Sequence, residues 1–248
     1  MANWSDPQIG PGAQPATTIG RDVAFDAGLR GYMLSVYNYM ASAVLLTGIV
    51  AYAVAASGWA LALFNPQTGG ASLLGYVAIF APLVLVFVMS FGINRLSTGA
   101  AQALYWVYAA LLGVSLSTIF LVYTEGSIAL TFFATAAAFA SLSLYGYTTK
   151  RDLSGMGTFL LMGLVGLIVA SIINLFWLND TFSLVIAALG VFIFAGLTAY
   201  DTQKIKSIYF QVAGTDFIGK AAIMGALNLY LDFINMFLFL LRFLGNRN

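Results

Sequence analysis

The 248-residue chain contains no cysteine and no histidine, and only 8% of its residues are charged. Without cysteine, neither a disulfide framework nor a thiolate site is available. Without histidine, Ser-His-Asp and Cys-His catalysis, HExxH zinc sites and haem with a proximal histidine are excluded. The net charge of +1 argues against a nucleic-acid partner. We therefore expect a protein that is not an enzyme and holds no cofactor.

What the chain does contain is apolar sequence, at 61% of its residues. An ordinary soluble domain carries roughly 25% charged residues, about three times the fraction here. Lys, Arg, Asp and Glu are absent from the stretches 31–94, 96–124, 126–149, 153–179 and 181–200. Each stretch has room for one or two spans of the roughly 20 residues that a bilayer requires. The composition predicts a polytopic membrane protein.

Seven apolar segments can be distinguished, at 32–57, 72–91, 103–122, 127–147, 157–178, 181–200 and 221–243. No alternation typical of a transmembrane β-barrel occurs. Because the connections are short, we predict an all-α fold in which residues 31–248 form a single domain of seven transmembrane helices. Residues 1–30 hold three of the five prolines and no apolar run, so we predict a mobile polar tail.

The distribution of Lys and Arg predicts the orientation in the membrane. With the N-terminus inside, eight basic residues lie on the inner side and two, Arg242 and Arg247, lie outside. The inner eight are Arg21, Arg30, Arg95, Lys150, Arg151, Lys204, Lys206 and Lys220. We therefore predict a cytoplasmic N-terminus, while a C-terminus that re-enters from the cytoplasmic side is an alternative.

Asp232 lies in the middle of the last apolar segment. A carboxylate at the centre of a lipid-facing helix costs roughly 2.5 to 3.5 kcal/mol on insertion scales. Asn228 and Asn235 precede and follow it by four and three residues, so all three side chains project from one helix face. The last helix is therefore predicted to lie centrally in the bundle. This polar stripe is either functional or a hydrogen-bond ladder between helices.

A second acid, Asp201, ends the preceding apolar run in the sequence GLTAYDTQKIK at 196–206. Alone it could be an ordinary helix-end charge beside its counterions. Together with Asp232, it is a candidate for a shared site in the final two helices. Two carboxylates held in contact cannot both ionise easily, so such a pair would bind and release a proton as the pH changes.

Two features of the second segment are candidates for moving parts. Arg95 lies at its inner end and is either a positive-inside anchor or a latch whose guanidinium pairs with ionised aspartates. Pro82 lies about ten residues into the segment, where it removes a backbone hydrogen bond and favours a kink, so it is a candidate hinge.

The motifs AYDTQKIK at 199–206 and NLYLDFINMFLFLLRFL at 228–244 resemble the transmembrane Bax inhibitor motif family, that is, Bax inhibitor-1-like proteins of a bacterial type. The resemblance implies six helices in two layers around the last one, Asp201 and Asp232 as a pH-sensing pair, and Arg95 as the latch. It also implies a pH-sensitive calcium leak in the bacterial inner membrane, with calcium as the permeant ion. The two aspartates, with Asn228 and Asn235, would then offer calcium transient oxygen ligands.

Spacing alone does not bring the two aspartates together. If both final helices were centred in the bilayer, Asp201 would lie roughly 12 to 15 Å nearer the cytoplasm than Asp232. Contact would require the preceding helix to shift or to extend.

Two other functions are considered. A non-catalytic regulator of a membrane-bound protease, or of another membrane partner, would use the polar tail as its binding segment. An intramembrane aspartyl protease also needs two carboxylates on neighbouring helices. However, Asp232 follows NLYL without the glycines that accompany the second aspartate of those enzymes.

Overall fold

The computed structural model describes residues 16–67, 69–177 and 179–248, with side chains described from residue 26 onward. The described residues form α helices and one 3-10 helix, Trp59–Leu63. The α helices are α1 (Ala16–Ala56), α2 (Leu73–Gly92), α3 (Thr98–Leu116), α4 (Ile119–Val122), α5 (Glu125–Thr148), α6 (Ser154–Trp177), α7 (Asp180–Val212) and α8 (Ile218–Leu244). α3 and α4 together form one span, so the described residues contain seven membrane-spanning helices, as predicted.

Short polar residues between the apolar segments define where several helices begin. The side chains of Ser72, Ser97, Thr124 and Asn179 each accept a hydrogen bond from the backbone N–H three residues later, at the starts of α2, α3, α5 and α7. Such caps satisfy backbone donors that the first helical turn leaves unpaired. These four polar residues, which lie between the apolar segments, therefore determine where the helices start.

Two helices extend beyond the segments that the sequence predicts. α1 begins at Ala16, so the second half of the expected tail, 16–30, is helical, while residues 1–15 lie outside the described residues. α7 continues to Val212, well past the predicted end at residue 200. The acidic and basic residues after Tyr200 therefore mark the end of the apolar run and not the end of the helix.

α8 lies at the centre of the bundle, as predicted. Its most apolar stretch is 61% buried, against 17 to 44% for the other spans. It packs against α1, α3, α5 and α7, while α2 packs on α3 and α6 packs on α7. Because α8 is enclosed by other helices, its polar residues are kept away from lipid.

The bundle has two ends, which can be identified by contacts between helices. At one end, Tyr32 near the start of α1 lies against Tyr209 near the end of α7, with ring centroids 5.4 Å apart. At the other end, Ser183 near the start of α7 contacts Arg242 near the end of α8. We call these the Asp201 end and the Asp180 end. The C-terminal residues lie at the Asp180 end, where Thr124 N–H donates to the carbonyl of Asn246.

α8 thus crosses the whole bundle, and the alternative in which the C-terminus re-enters on the side of the N-terminus is not found.

Candidate functional site

A cavity of about 1120 Å³ runs along α8 and is lined by α2, α3, α6, α7 and α8. On α7 its lining extends from Asp180 to Lys204, a rise of about 36 Å at 1.5 Å per residue, which spans a bilayer. Most of its lining is apolar. The polar and charged lining residues are Tyr108, Ser171, Asn174, Asp180, Ser183, Tyr200, Asp201, Lys204, Asn228, Asp232, Asn235 and Arg242.

Asp201 and Asp232 meet in this cavity. Their carboxyl groups lie close enough to act on each other's ionisation, and a hydrogen bond between them would require a proton. Asp232 is only 4% exposed, and Asp201 is half-buried. The buried Oδ2 atom of Asp232 has no hydrogen-bond partner among the described residues. The last helix therefore carries its acid inside the protein, against a second acid.

The extension of α7 explains how the two aspartates reach the same level. Asp201 lies 11 residues before the end of α7, and Asp232 lies 14 residues after the start of α8. These offsets correspond to about 17 Å and 21 Å along two antiparallel helices joined by residues 213–217. The predicted boundaries implied that Asp201 and Asp232 lie roughly 12 to 15 Å apart along the membrane normal. Because α7 is longer than predicted, this separation is not found between the two residues.

Lys204 is the basic residue whose charge acts on Asp201. It follows Asp201 by three residues, which places both side chains on the same face of α7, and both line the cavity. The Lys204 ammonium also lies 5.8 Å from the ring centre of Tyr200. Tyr200, Asp201 and Lys204 together form the mouth of the cavity at the Asp201 end.

Arg95, the residue predicted as a latch, does not line the cavity in the structure. It lies in the turn after α2, its side chain is exposed, and it is not among the residues that line the cavity. The role of Arg95 as a latch stays a prediction, while Lys204 is the basic residue that lines the cavity beside Asp201.

The other residues that the sequence predicts for the site, Asn228, Asn235 and Pro82, line the cavity. Asn228 and Asn235 line it, and the Nδ2 atom of Asn235 donates to the carbonyl of Leu231 on its own helix at 2.8 Å. That bond does not join two helices, so it gives no support to a ladder at this position. Pro82 is buried in the cavity wall, and α2 is helical on both sides of it. Its role as a hinge stays a prediction.

Calcium would find few ligands here. Among the described residues, no group of three or more carboxylate, histidine or cysteine side chains could hold a metal ion. Calcium takes six to eight oxygen ligands, of which Asp201 and Asp232 supply at most four oxygen atoms. The two carboxylates alone therefore do not complete a calcium coordination shell.

The sequence did not predict a second polar cluster at the Asp180 end of the cavity. It consists of Asn174 on α6, Ser183 on α7 and Arg242 on α8. One signal was available, because Asn174 is a polar residue within an apolar run and is buried at 6% exposure. The other two residues carry no pattern that would join them before the fold is known.

Comparison with known proteins agrees with this architecture. Residues 29–248 match the family model described as Inhibitor of apoptosis-promoting Bax1. The chain is 50% identical to the uncharacterized protein RP147 of Rickettsia prowazekii, over 93% of this chain and 96% of the relative. It is 49% identical to the inner membrane protein YbhL of Escherichia coli, over 89% and 94% of the two chains. The chain is an integral membrane protein that belongs to the Bax inhibitor family.

Proposed function

We propose that the protein is a pH-sensitive leak pathway for calcium, controlled by the Asp201–Asp232 pair. One observation carries this proposal: the two carboxyl groups lie close together in a cavity that extends about 36 Å along the bundle, from Asp180 to Lys204 of α7. A proton-binding pair in the wall of a potential pathway is a physical means of coupling pH to permeation.

The mechanism follows from the charges at the mouth. When the pair is ionised, its negative charge attracts the Lys204 ammonium and holds this side chain across the mouth of the cavity. When acid neutralises the pair, this attraction is lost and the mouth at the Asp201 end can open. Arg95 would replace Lys204 as the counter-charge only in a conformation that brings the turn after α2 to the cavity.

Calcium is the proposed permeant ion because the polar stripe on α8 offers oxygen atoms. The Asp232 carboxyl and the amides of Asn228 and Asn235 line one side of the cavity, and hard cations prefer such ligands. Protonation opens the mouth but also weakens the aspartates as ligands. Flux is therefore expected to peak at an intermediate, mildly acidic pH.

The experiment measures calcium entry into liposomes that contain the purified protein, from neutral to acidic pH. We expect the wild type to leak faster on acidification, and Asp201→Asn and Asp232→Asn to flatten this response, because an amide cannot take up the proton. A pH response that survives unchanged in both variants would refute the switch.

Asp152→Asn is the matched control for this experiment. Asp152 is exposed in the turn between α5 and α6, and hydrogen bonds from Ser154 hold the pKa of its carboxyl below its usual range. A group whose pKa is lowered on folding stabilises the protein above its ordinary pKa and loses that effect only as the pH falls through the lowered value. Asp152 therefore stays ionised over the assay range, and its variant should respond as the wild type does.

The proposed location is the bacterial inner membrane with the N-terminus in the cytoplasm. The relative named as an inner membrane protein and the excess of basic residues at the Asp201 end support this proposal. We propose no catalytic role. Regulation of a membrane-bound protease through the polar tail stays a prediction, because residues 1–15 lie outside the described residues.

A further inference from the structure

The polar cluster at the Asp180 end of the cavity joins three helices. The Arg242 Nη2 atom donates to Ser183 Oγ at 2.7 Å, and the Asn174 Nδ2 atom donates to the same oxygen at 2.6 Å. Asn174 is only 6% exposed, and its Oδ1 atom is buried without a hydrogen-bond partner in the described part of the chain. A buried acceptor without a partner costs free energy, unless a ligand supplies the missing donor.

The cluster presents both signs of charge to the cavity. Arg242 is a permanent cation with five N–H groups, of which one is used by Ser183, and such a fork suits phosphate oxygens. Asp180 also lines this end of the cavity, and its carboxylate and the Asn174 Oδ1 atom are acceptors. A ligand that satisfies both groups carries an anionic part for Arg242 and a hydrogen-bond donor for the two acceptors, and a positively charged N–H donor suits the Asp180 carboxylate best.

The side wall of the cavity next to this cluster is apolar and open. It is lined by Ile79, Leu83 and Phe87 of α2 and by Leu161, Ile168 and Ile172 of α6. These six side chains are each 49 to 58% exposed although they line the cavity, so the cavity opens sideways on the apolar surface of the bundle. α2 packs on α3, and α6 packs on α7, which leaves a groove between them. Acyl chains can reach this groove from the bilayer.

The cluster lies at the depth of lipid headgroups. Asp180 begins α7, and Arg242 lies two residues before the end of α8. Trp177, at the end of α6, is 77% exposed, as is typical of a tryptophan at the membrane interface. A lipid in the groove would therefore present its headgroup to the cluster.

We propose that the groove between α2 and α6 binds a zwitterionic phospholipid that carries a primary ammonium group. Its phosphate contacts Arg242 and Ser183, its ammonium contacts Asp180 and the Oδ1 atom of Asn174, and its acyl chains lie along the apolar wall. An anionic glycerol headgroup lacks the ammonium, and a choline headgroup has no N–H to donate. This inference does not depend on the proposed ion flux.

Native mass spectrometry of the detergent-purified full chain tests the proposal. The protein is incubated with phosphatidylethanolamine, phosphatidylglycerol or phosphatidylcholine of identical acyl chains, and bound lipid is counted. We expect phosphatidylethanolamine to be retained about tenfold more than either other lipid, as charge-assisted hydrogen bonds would provide. Arg242→Gln should reduce its retention by about tenfold, and Asp180→Asn should abolish the preference over phosphatidylglycerol.

Arg247→Gln is the matched control, because it removes the same charge from an exposed position in the C-terminal residues, outside the cavity lining. Asp180 is exposed at a helix start, so its variant keeps the proposal testable if Arg242→Gln unfolds. Equal retention of the three lipids, a preference for phosphatidylglycerol, or equal binding by the Arg242 and Arg247 variants would overturn the proposal. Because the measurement needs no calcium flux, its failure is distinct from failure of the leak pathway.

Discussion

Asp232 shows how one residue constrains the whole arrangement. Its carboxyl lies midway along an apolar helix, where exposure to lipid would cost roughly 2.5 to 3.5 kcal/mol. The structure avoids this cost by burying Asp232 near Asp201 and beside a cavity whose lining includes Asn228, Asn235 and Lys204. A second carboxyl stabilises the first only while a proton lies between the two. The interaction that keeps Asp232 buried is therefore itself sensitive to pH.

The positive charge of Lys204 should influence the pH at which the aspartate pair takes up its proton. In Lys204→Gln, the ionised pair loses its nearby positive charge, so protonation becomes easier and the midpoint of acid-activated flux should move to higher pH. Because Lys204 is exposed and screened by solvent, we expect a shift of roughly half a unit. Liposome flux measured against pH reports this midpoint.

Arg95→Gln is the matched variant for Lys204→Gln, since it also removes one exposed positive charge. An unshifted midpoint in Lys204→Gln would contradict the role given to that residue. If Arg95→Gln moved the pH midpoint of flux as far as is expected for Lys204→Gln, Arg95 would be the latch in a second conformation.

The site residues differ in how far the sequence could predict them. Asp232 was predictable because the cost of burying charge applies to any fold. The pairing with Asp201 was predicted from the family resemblance and not from helix spacing, since the level of Asp201 depends on where α7 ends. Asn174, Ser183 and Arg242 lie on three different helices, and only packing brings them together.

Among the helices that carry the site, α7 continues 12 residues beyond its predicted end at residue 200. Hydropathy falls after Tyr200, but helix formation does not require apolar residues, and the long side chains of lysines extend toward polar groups at a membrane boundary. Lys206 illustrates this, because its Nζ atom donates to the carbonyl of Tyr147 on α5 at 2.9 Å. Hydropathy therefore predicts which helices exist more reliably than where they end.

Close packing of α5 against α7 positions Asp201, and Gly146 makes it possible. A Cβ atom at Gly146 would collide with the backbone of Ala199, two residues before Asp201. Gly146→Ala should therefore separate the helices and destabilise the protein by about 1–3 kcal/mol, which thermal unfolding in detergent would measure.

Gly166→Ala on α6 is the control for this substitution, because a Cβ atom there meets nothing within 4 Å. Its stability should equal or slightly exceed that of the wild type, as alanine favours helix over glycine. Equal stability of the Gly146 and Gly166 variants would show that the α5–α7 contact is not tight.

On the scale of the whole molecule, seven crossings place the start of α1 and the C-terminus at opposite ends of the bundle. The Asp201 end carries most of the basic residues that follow α1, and these residues predict the cytoplasmic side. The number of crossings was predictable from hydropathy alone. Which helix lies at the centre followed from Asp232, because the polar helix must be enclosed by the apolar ones.

The natural absence of cysteine allows the orientation to be tested with single-cysteine variants. Asn248→Cys, at the Asp180 end, should react with a membrane-impermeant maleimide in intact cells. Ser154→Cys, exposed at the start of α6 at the other end, should react only after the membrane is permeabilised. The reverse pattern would invert the predicted topology.

The central claim is that Asp201 and Asp232 hold a proton between them inside the bundle. Infrared difference spectroscopy of the protein in lipid nanodiscs measures this directly, since a protonated carboxyl has a C=O stretch that an ionised one lacks. We predict a carboxylic acid band that titrates with pH, that Asp201→Asn and Asp232→Asn both remove or shift, and that Asp152→Asn leaves unchanged. A spectrum without such a band, or a band that neither of the two pair variants alters, would contradict the account.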